Sequence, residues 1–119
     1  IVQTATAKND GLSVSGLTVT LSAFGNVNNA TYGAVRHGTT SAQLVTPGTG
    51  FTELGEAASG SFIQYQSQYN LSNDTSVDWT WTNEAGTDQA IAAEIKAAAT
   101  NTGGKVLPRL RRLARLPRL

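Results

Sequence analysis

Apolar and polar residues alternate with period two through most of the first 100 residues, in short runs set between clusters of Gly, Asn, Asp and Pro. That pattern fits strands that bury one face; helices repeat their apolar positions every three or four residues instead. The clearest run places Leu17, Val19, Leu21 and Ala23 on one face and Thr18, Thr20 and Ser22 on the other. Val77, Trp79 and Trp81 alternate in the same way with Asp78, Thr80 and Thr82, and Ile63, Tyr65 and Tyr69 fall in phase within 62–69. Further strands are predicted over 1–7, 12–14, 30–35, 43–46 and 51–56. Lys8, Asn9, Asp10 and Gly11 read as a turn between the first two, because Asn, Asp and Gly tolerate left-handed backbone angles. The alanines of 89–98 suit a helix, but Ile91, Ala93 and Ile95 also share one strand face, and a last strand is predicted there. Seven or eight short strands at intervals of roughly 10 residues point to an all-β chain folded as a single jelly-roll-like β-sandwich.

A chain of 119 residues is long enough for one core and too short for two. It has no cysteine, so packing must do the work that disulfides or a thiolate metal site do elsewhere. No apolar run approaches the roughly 20 residues that cross a bilayer, and no charged start followed by an apolar stretch marks a signal peptide. The net charge of +1 conceals a division along the chain. Lys8, Arg36 and Lys96 stand against eight acids and leave the body at −5, while Lys105, Arg109, Arg111, Arg112, Arg115 and Arg118 give the last fifteen residues +6. An acidic body with a basic arm favours contact between copies, or with another anion. The expected organisation is a β domain over 1–100, a Gly-rich hinge over 101–104 and a basic Leu/Arg tail over 105–119.

Several stretches carry a resemblance. Leu17-Thr18-Val19-Thr20-Leu21, Asn28-Asn29-Ala30-Thr31-Tyr32-Gly33, Gly50-Phe51-Thr52-Glu53-Leu54-Gly55 and Ser76-Val77-Asp78-Trp79-Thr80-Trp81, leading to Ala90-Ile91-Ala92-Ala93-Glu94-Ile95, resemble small β-sandwich proteins encoded in tailed-phage and related bacterial genomes. The similarity covers roughly residues 1–98. It implies a jelly-roll-like sandwich whose last strand is 90–95 and a virion or surface role, and it brings no catalytic residue with it.

Enzyme chemistry has few footholds, and no catalytic residue, cofactor or metal is predicted. His37 is the only histidine, no serine lies in a nucleophile-elbow pattern, and the segment Arg36-His37-Gly38 reads as a turn at a strand end. The carboxylates Glu53 with Glu56, and Asp74 with Asp78, lie close in sequence but carry no further signature. Oxygen-bearing residues at 70–74 lack the spacing and bidentate glutamate of a calcium loop, and Gly48-Thr49-Gly50 lacks the lysine and helix of a phosphate loop. Exposed aromatic rings can serve as platforms for sugar rings, and Tyr65, Tyr69, Trp79 and Trp81 are the candidates for such a ligand site. Trp79 and Trp81 share the face of Val77, however, and in-phase apolar residues tend to face inward.

The tail has the sharpest pattern. From Pro108 it reads Pro-Arg-Leu, Arg-Arg-Leu, Ala-Arg-Leu, Pro-Arg-Leu, so that Arg109, Arg112, Arg115 and Arg118, and Leu110, Leu113, Leu116 and Leu119, each recur every third residue, with Leu107 extending the leucines. Polyproline II has three residues per turn and would set the two residue types along separate edges of a rod. Fifteen residues in that form span about 45 Å, against ~26 Å for twice the radius of gyration of a 100-residue domain. These nine residues are therefore the predicted subunit interface: the leucines dock in an apolar groove of a neighbour and the arginines meet acidic or carbonyl surface. Exposed ion pairs contribute only about 0–1 kcal/mol each, so the buried leucines must supply most of the grip.

The expected function is a structural subunit of a virion or extracellular assembly, as a capsid, decoration or filament protein, with copies of itself or other subunits of the particle as partners. Exchange of the first strand, 1–7, between subunits is a second expected link. Nucleic acid bound through the arginines ranks below this, because phosphate contacts do not require the regular leucines. Membrane adhesion is not expected, since the prolines oppose an amphipathic helix. The competing class is a carbohydrate- or receptor-binding module that uses the four aromatic residues.

Overall fold

A computed structural model describes residues 1–41, 43–60 and 62–99. Six strands form one antiparallel sheet: β1 (Gln3–Thr20), β2 (Ala30–Gly38), β3 (Thr46–Pro47), β4 (Thr52–Ser59), β5 (Ile63–Asn70) and β6 (Ser76–Ile95). The strand order is β1-β6-β2-β5-β4, with β3 paired separately to β6. The chain is all-β in its described residues, as the alternation predicts.

The expected seven or eight short strands become six because breaks in the pattern lie inside long strands. Lys8 to Gly11 is not a turn between hairpin partners. It belongs to β1, which pairs with β6 from Gln3 opposite Glu94 to Thr20 opposite Ser76. The register slips between Asp10 and Ser13 and again between Val14 and Gly16, and Gly11 takes the left-handed φ of 87° that the first slip needs. In the same way the predicted strands at 77–82 and 89–98 are the two halves of β6. Of the strand expected at 43–46 only Thr46 remains, joined by Pro47 in the two-residue β3.

At these bulges the β1/β6 ribbon bends, and its second half comes to lie over the inner face of the rest. The first half of β6 presents Val77, Trp79 and Trp81 to that face, all buried as their phase predicts. Beneath them lie four rows of partnered residues: Gln3, Glu94, Thr31 and Asn70; Ala5, Ala92, Gly33 and Gln68; Ala7, Ala90, Val35 and Gln66; Asn9, Asp88, His37 and Gln64. The middle rows are small or apolar except for Gln68 and Gln66, and the outer two are polar. Gly33 leaves the space that Trp79 fills, since a Cβ there would come within 2.8 Å of its ring and 2.6 Å of Val77 Cγ1. Trp79 Nε1 donates to Gln66 Oε1 at 2.6 Å, so the largest interior side chain is both packed and satisfied. Val19, Leu21, Val45 and Phe51 complete the core.

β5 turns Gln64, Gln66 and Gln68 inward and leaves Ile63, Tyr65 and Tyr69 on the outer side. Gln68 accepts from Gly48 N–H and donates to Asp78 O, both at 3.0 Å, and so joins the loop after β3 to β6. Gly33→Ala should cost about 1–3 kcal/mol by forcing the ring away from its floor. Urea unfolding followed by tryptophan fluorescence checks this, and an unchanged midpoint would show that Trp79 does not depend on the gap.

Candidate functional site

Two places gather polar chemistry, one inside the molecule and one outside. The inner one is the row Asn9, Asp88, His37 and Gln64 at the bent end of the ribbon. His37 is not the surface turn residue expected from Arg36-His37-Gly38. It is the eighth residue of the nine in β2 and has no exposed surface, because the inward phase of Thr31, Gly33 and Val35 continues through it. Its Nδ1 lies 2.7 Å from Asp88 Oδ1, and its ring stacks on Trp81 with centroids 4.2 Å apart. Asn9 Nδ2 donates to Asp88 Oδ2 at 2.9 Å and to the carbonyls of Leu12 and Gly86. With Asp88 as carboxylate, Nδ1 carries the hydrogen and donates. Trp81 Nε1 donates to Val14 O at 3.0 Å and fixes the ring over the imidazole. An imidazole enclosed in this way holds β2, β6 and β1 together and presents no surface to solvent.

Just outside this row, Glu84 gathers the segment after β2. Its carboxylate accepts from the backbone N–H of Thr40, the hydroxyl of Thr39 and the side-chain amide of Gln43. The Thr40 hydrogen bonds, aided by Thr39, hold this carboxyl below its ordinary value of 4.5 against a smaller opposing effect of desolvation. A depressed carboxylate contributes stability above the unfolded value, and that contribution is lost as pH falls through the folded one.

The outer site is the opposite face of the same four strands. Partnered rows there read Lys8, Gln89, Arg36 and Tyr65, then Thr6, Ile91, Ala34 and Ser67, then Thr4, Ala93, Tyr32 and Tyr69. A shallow depression of about 670 Å³ lies over the first two rows, with Tyr65 and Ile91 as its half-exposed apolar side chains. Lys8 and Arg36 border it. Lys8 bonds Asp10 at 2.5 Å, which raises its ammonium above the usual lysine value, and Arg36 Nη1 donates to Thr87 O at 2.9 Å.

The four aromatic candidates therefore divide. Tyr65 is 42% exposed and stands on the outer face, and Tyr69 is half-buried there beside Tyr32, its cross-strand partner. Trp79 is 0% and Trp81 7% exposed, because each belongs to the inward phase of β6, and neither offers a ring to a sugar. The predicted interface residues Leu107, Arg109, Leu110, Arg112, Leu113, Arg115, Leu116, Arg118 and Leu119, and the hinge before them, lie outside the described residues. The inner cluster escaped the sequence because Asn9, His37 and Asp88 are far apart in the chain and none sits in a motif. The one available signal was phase, since His37 continues the face of Val35 and Asp88 that of Ala90.

Comparison with family models, curated proteins and solved structures returned no match.

Asp88→Ala should cost about 1–3 kcal/mol, since it removes the acceptor of a buried imidazole that has no other partner among the described residues. Urea unfolding measures it, and a chain of undiminished stability would show that the pair contributes nothing. Carboxyl NMR should place the Glu84 titration below 4.5, with Thr39→Val moving its midpoint upward.

Proposed function

We propose that this chain is a structural subunit of a virion or extracellular assembly, a jelly-roll-like β-sandwich whose segment 105–119 grips a neighbouring subunit. The observation that carries this reading is the division of charge and residue type along the chain: a body at −5 is followed by an arm at +6 in which leucine and arginine recur in triplets. Arginine alone would serve for attraction to any anion. A leucine beside each arginine fits a protein surface that offers an apolar seat next to an acid or a carbonyl group.

The body carries features of that kind. β4 is an end strand of the sheet, and on it exposed Glu53 adjoins Leu54, which is 57% exposed. Leu44, Phe62 and Leu71 are also largely exposed. Single exposed apolar residues are ordinary, but an acid next to a leucine on an unpaired strand edge matches the arginines of the arm in charge and its leucines in apolar character. The carbohydrate-binding alternative has to rest on Tyr65 and Tyr69 without the tryptophans, which leaves it one open ring and one half-covered one.

The test compares the full chain with a variant in which Leu107, Leu110, Leu113 and Leu116 are all serine, which keeps length and charge. Size-exclusion chromatography with light scattering, at low and high salt, should find concentration-dependent assembly beyond a dimer for the first and nothing larger than a dimer for the second. A variant that assembles like the parent would sink the proposal. A parent that stays monomeric and shifts only with added DNA would favour nucleic acid as the partner.

A further inference from the structure

The first half of β1 is held in place by very little apolar surface. Between Gln3 and Asn9 it turns only Ala5 and Ala7 inward as apolar residues, opposite Ala92 and Ala90. The second half is anchored differently, by Leu17 and Val19 packed in the core. What secures the first half, besides the backbone ladder, is an amide on a buried carboxylate at each end. Asn9 Nδ2 donates to Asp88 Oδ2 at 2.9 Å, and Gln3 Nε2 donates to Glu94 Oε2 at 2.7 Å. The Gln3 amide also brackets Ser22, donating to its carbonyl and accepting from its N–H, both at 3.0 Å. Asp88 and Glu94 have no exposed surface, and Asn29 gives Glu94 a further hydrogen bond at 2.5 Å.

This half-strand lies at the end of the sheet, with β6 on one side. It joins the anchored half through the bulge at Asp10 to Ser13, where Gly11 has its left-handed φ and Leu12 is 69% exposed. A lightly packed end segment, a joint that tolerates rotation and a slot specific for that segment are the requirements for exchange of an element between identical chains.

We infer that residues 3–10 exchange between two copies of the chain, each lending this half-strand to the other's β6. The exchanged pair reproduces the contacts of the single chain outside the joint, so the equilibrium is set by the joint and by concentration. The partner is a second copy because the slot matches this segment: amides meet carboxylates at both ends and methyl groups meet methyl groups between. A foreign strand without amides at those two positions would leave both carboxylates short of donors, at a cost that buried charges magnify. The inference rests on the reading of the chain as a self-assembling subunit, and it draws on nothing in segment 105–119.

The chain has no cysteine of its own, so two introduced ones can report the exchange. Thr6 and Ile91 are cross-strand partners on the outer face, both exposed. Full-length Thr6→Cys and full-length Ile91→Cys chains are refolded together at high concentration and treated with a short bis-maleimide. The expected product is a covalent heterodimer whose linked peptides join residues 6 and 91. The same link should form when Leu107, Leu110, Leu113 and Leu116 are serine, which separates this result from the fate of the arm. The doubly substituted chain, refolded at high dilution, should link within itself and so prove that the reagent spans the pair. Mixed single variants that never give the 6–91 link, beside a double variant that does so internally, would overturn the inference. Asn9→Ala should speed exchange between preformed dimers by roughly tenfold through loss of a charge-assisted hydrogen bond, and an unaltered rate would count against it.

Discussion

Trp79 can occupy the interior only because residue 33 has no side chain and residue 66 has an amide oxygen. The ring rests over Gly33 and donates to Gln66, and both residues lie on strands that the ribbon must fold across before the contact can exist. Nearly everything else about the core follows from that placement. Val77 and Trp81 take the same face of β6, His37 stacks under Trp81, and the bulges at Asp10 to Ser13 and Val14 to Gly16 supply the bend that brings the two halves together. Without disulfides, the chain relies on two large indoles and a set of satisfied polar contacts to lock a domain that is otherwise built from small residues.

The interior is unusually rich in amides and carboxylates for so small a core. Gln64, Gln66 and Gln68, with Asp88 and Glu94, are buried alongside the apolar cluster. Most of these groups link one segment to another: Gln68 joins the loop after β3 to β6, Asp88 joins β1 to β2, and Glu94 joins β1 to the segment before β2. Hydrogen bonds of this kind add modest net stability, but a wrong register would leave them unpaired at a larger cost. They therefore select the pairing of strands more than they strengthen it. This matters most for β5, where a slip of one residue would carry three tyrosine and isoleucine side chains inward in place of the glutamines.

How much of this was legible in the sequence varied with the kind of signal. The strands at 17–20 and 77–81 and the inward phase of both tryptophans could be read directly, because alternation reports which face a side chain takes. The union of short strands into β1 and β6 could not. Gly11 supplies the left-handed angle of a turn and of a bulge equally well, and only the partner strand decides between them. The inward face of β5 was hidden for a different reason: hydrophobic patterning marks Ile63, Tyr65 and Tyr69, whereas the buried residues are glutamines whose partners come from β6 and a loop. His37 was misplaced because its acceptor lies 51 residues away, and pairings at that distance leave no local trace.

The register of the long ribbon also decides how the domain would answer a pull. Gln3 and Glu94 are neighbours, so the two ends of the folded body emerge side by side. Tension applied through them would open the β1/β6 ladder one rung at a time, as a zipper opens, and no rung could share its load with the next. Force that enters through the flanks of the sheet would instead be spread over many bonds at once. A molecule of this design resists strain poorly through its own ends and well through its sides.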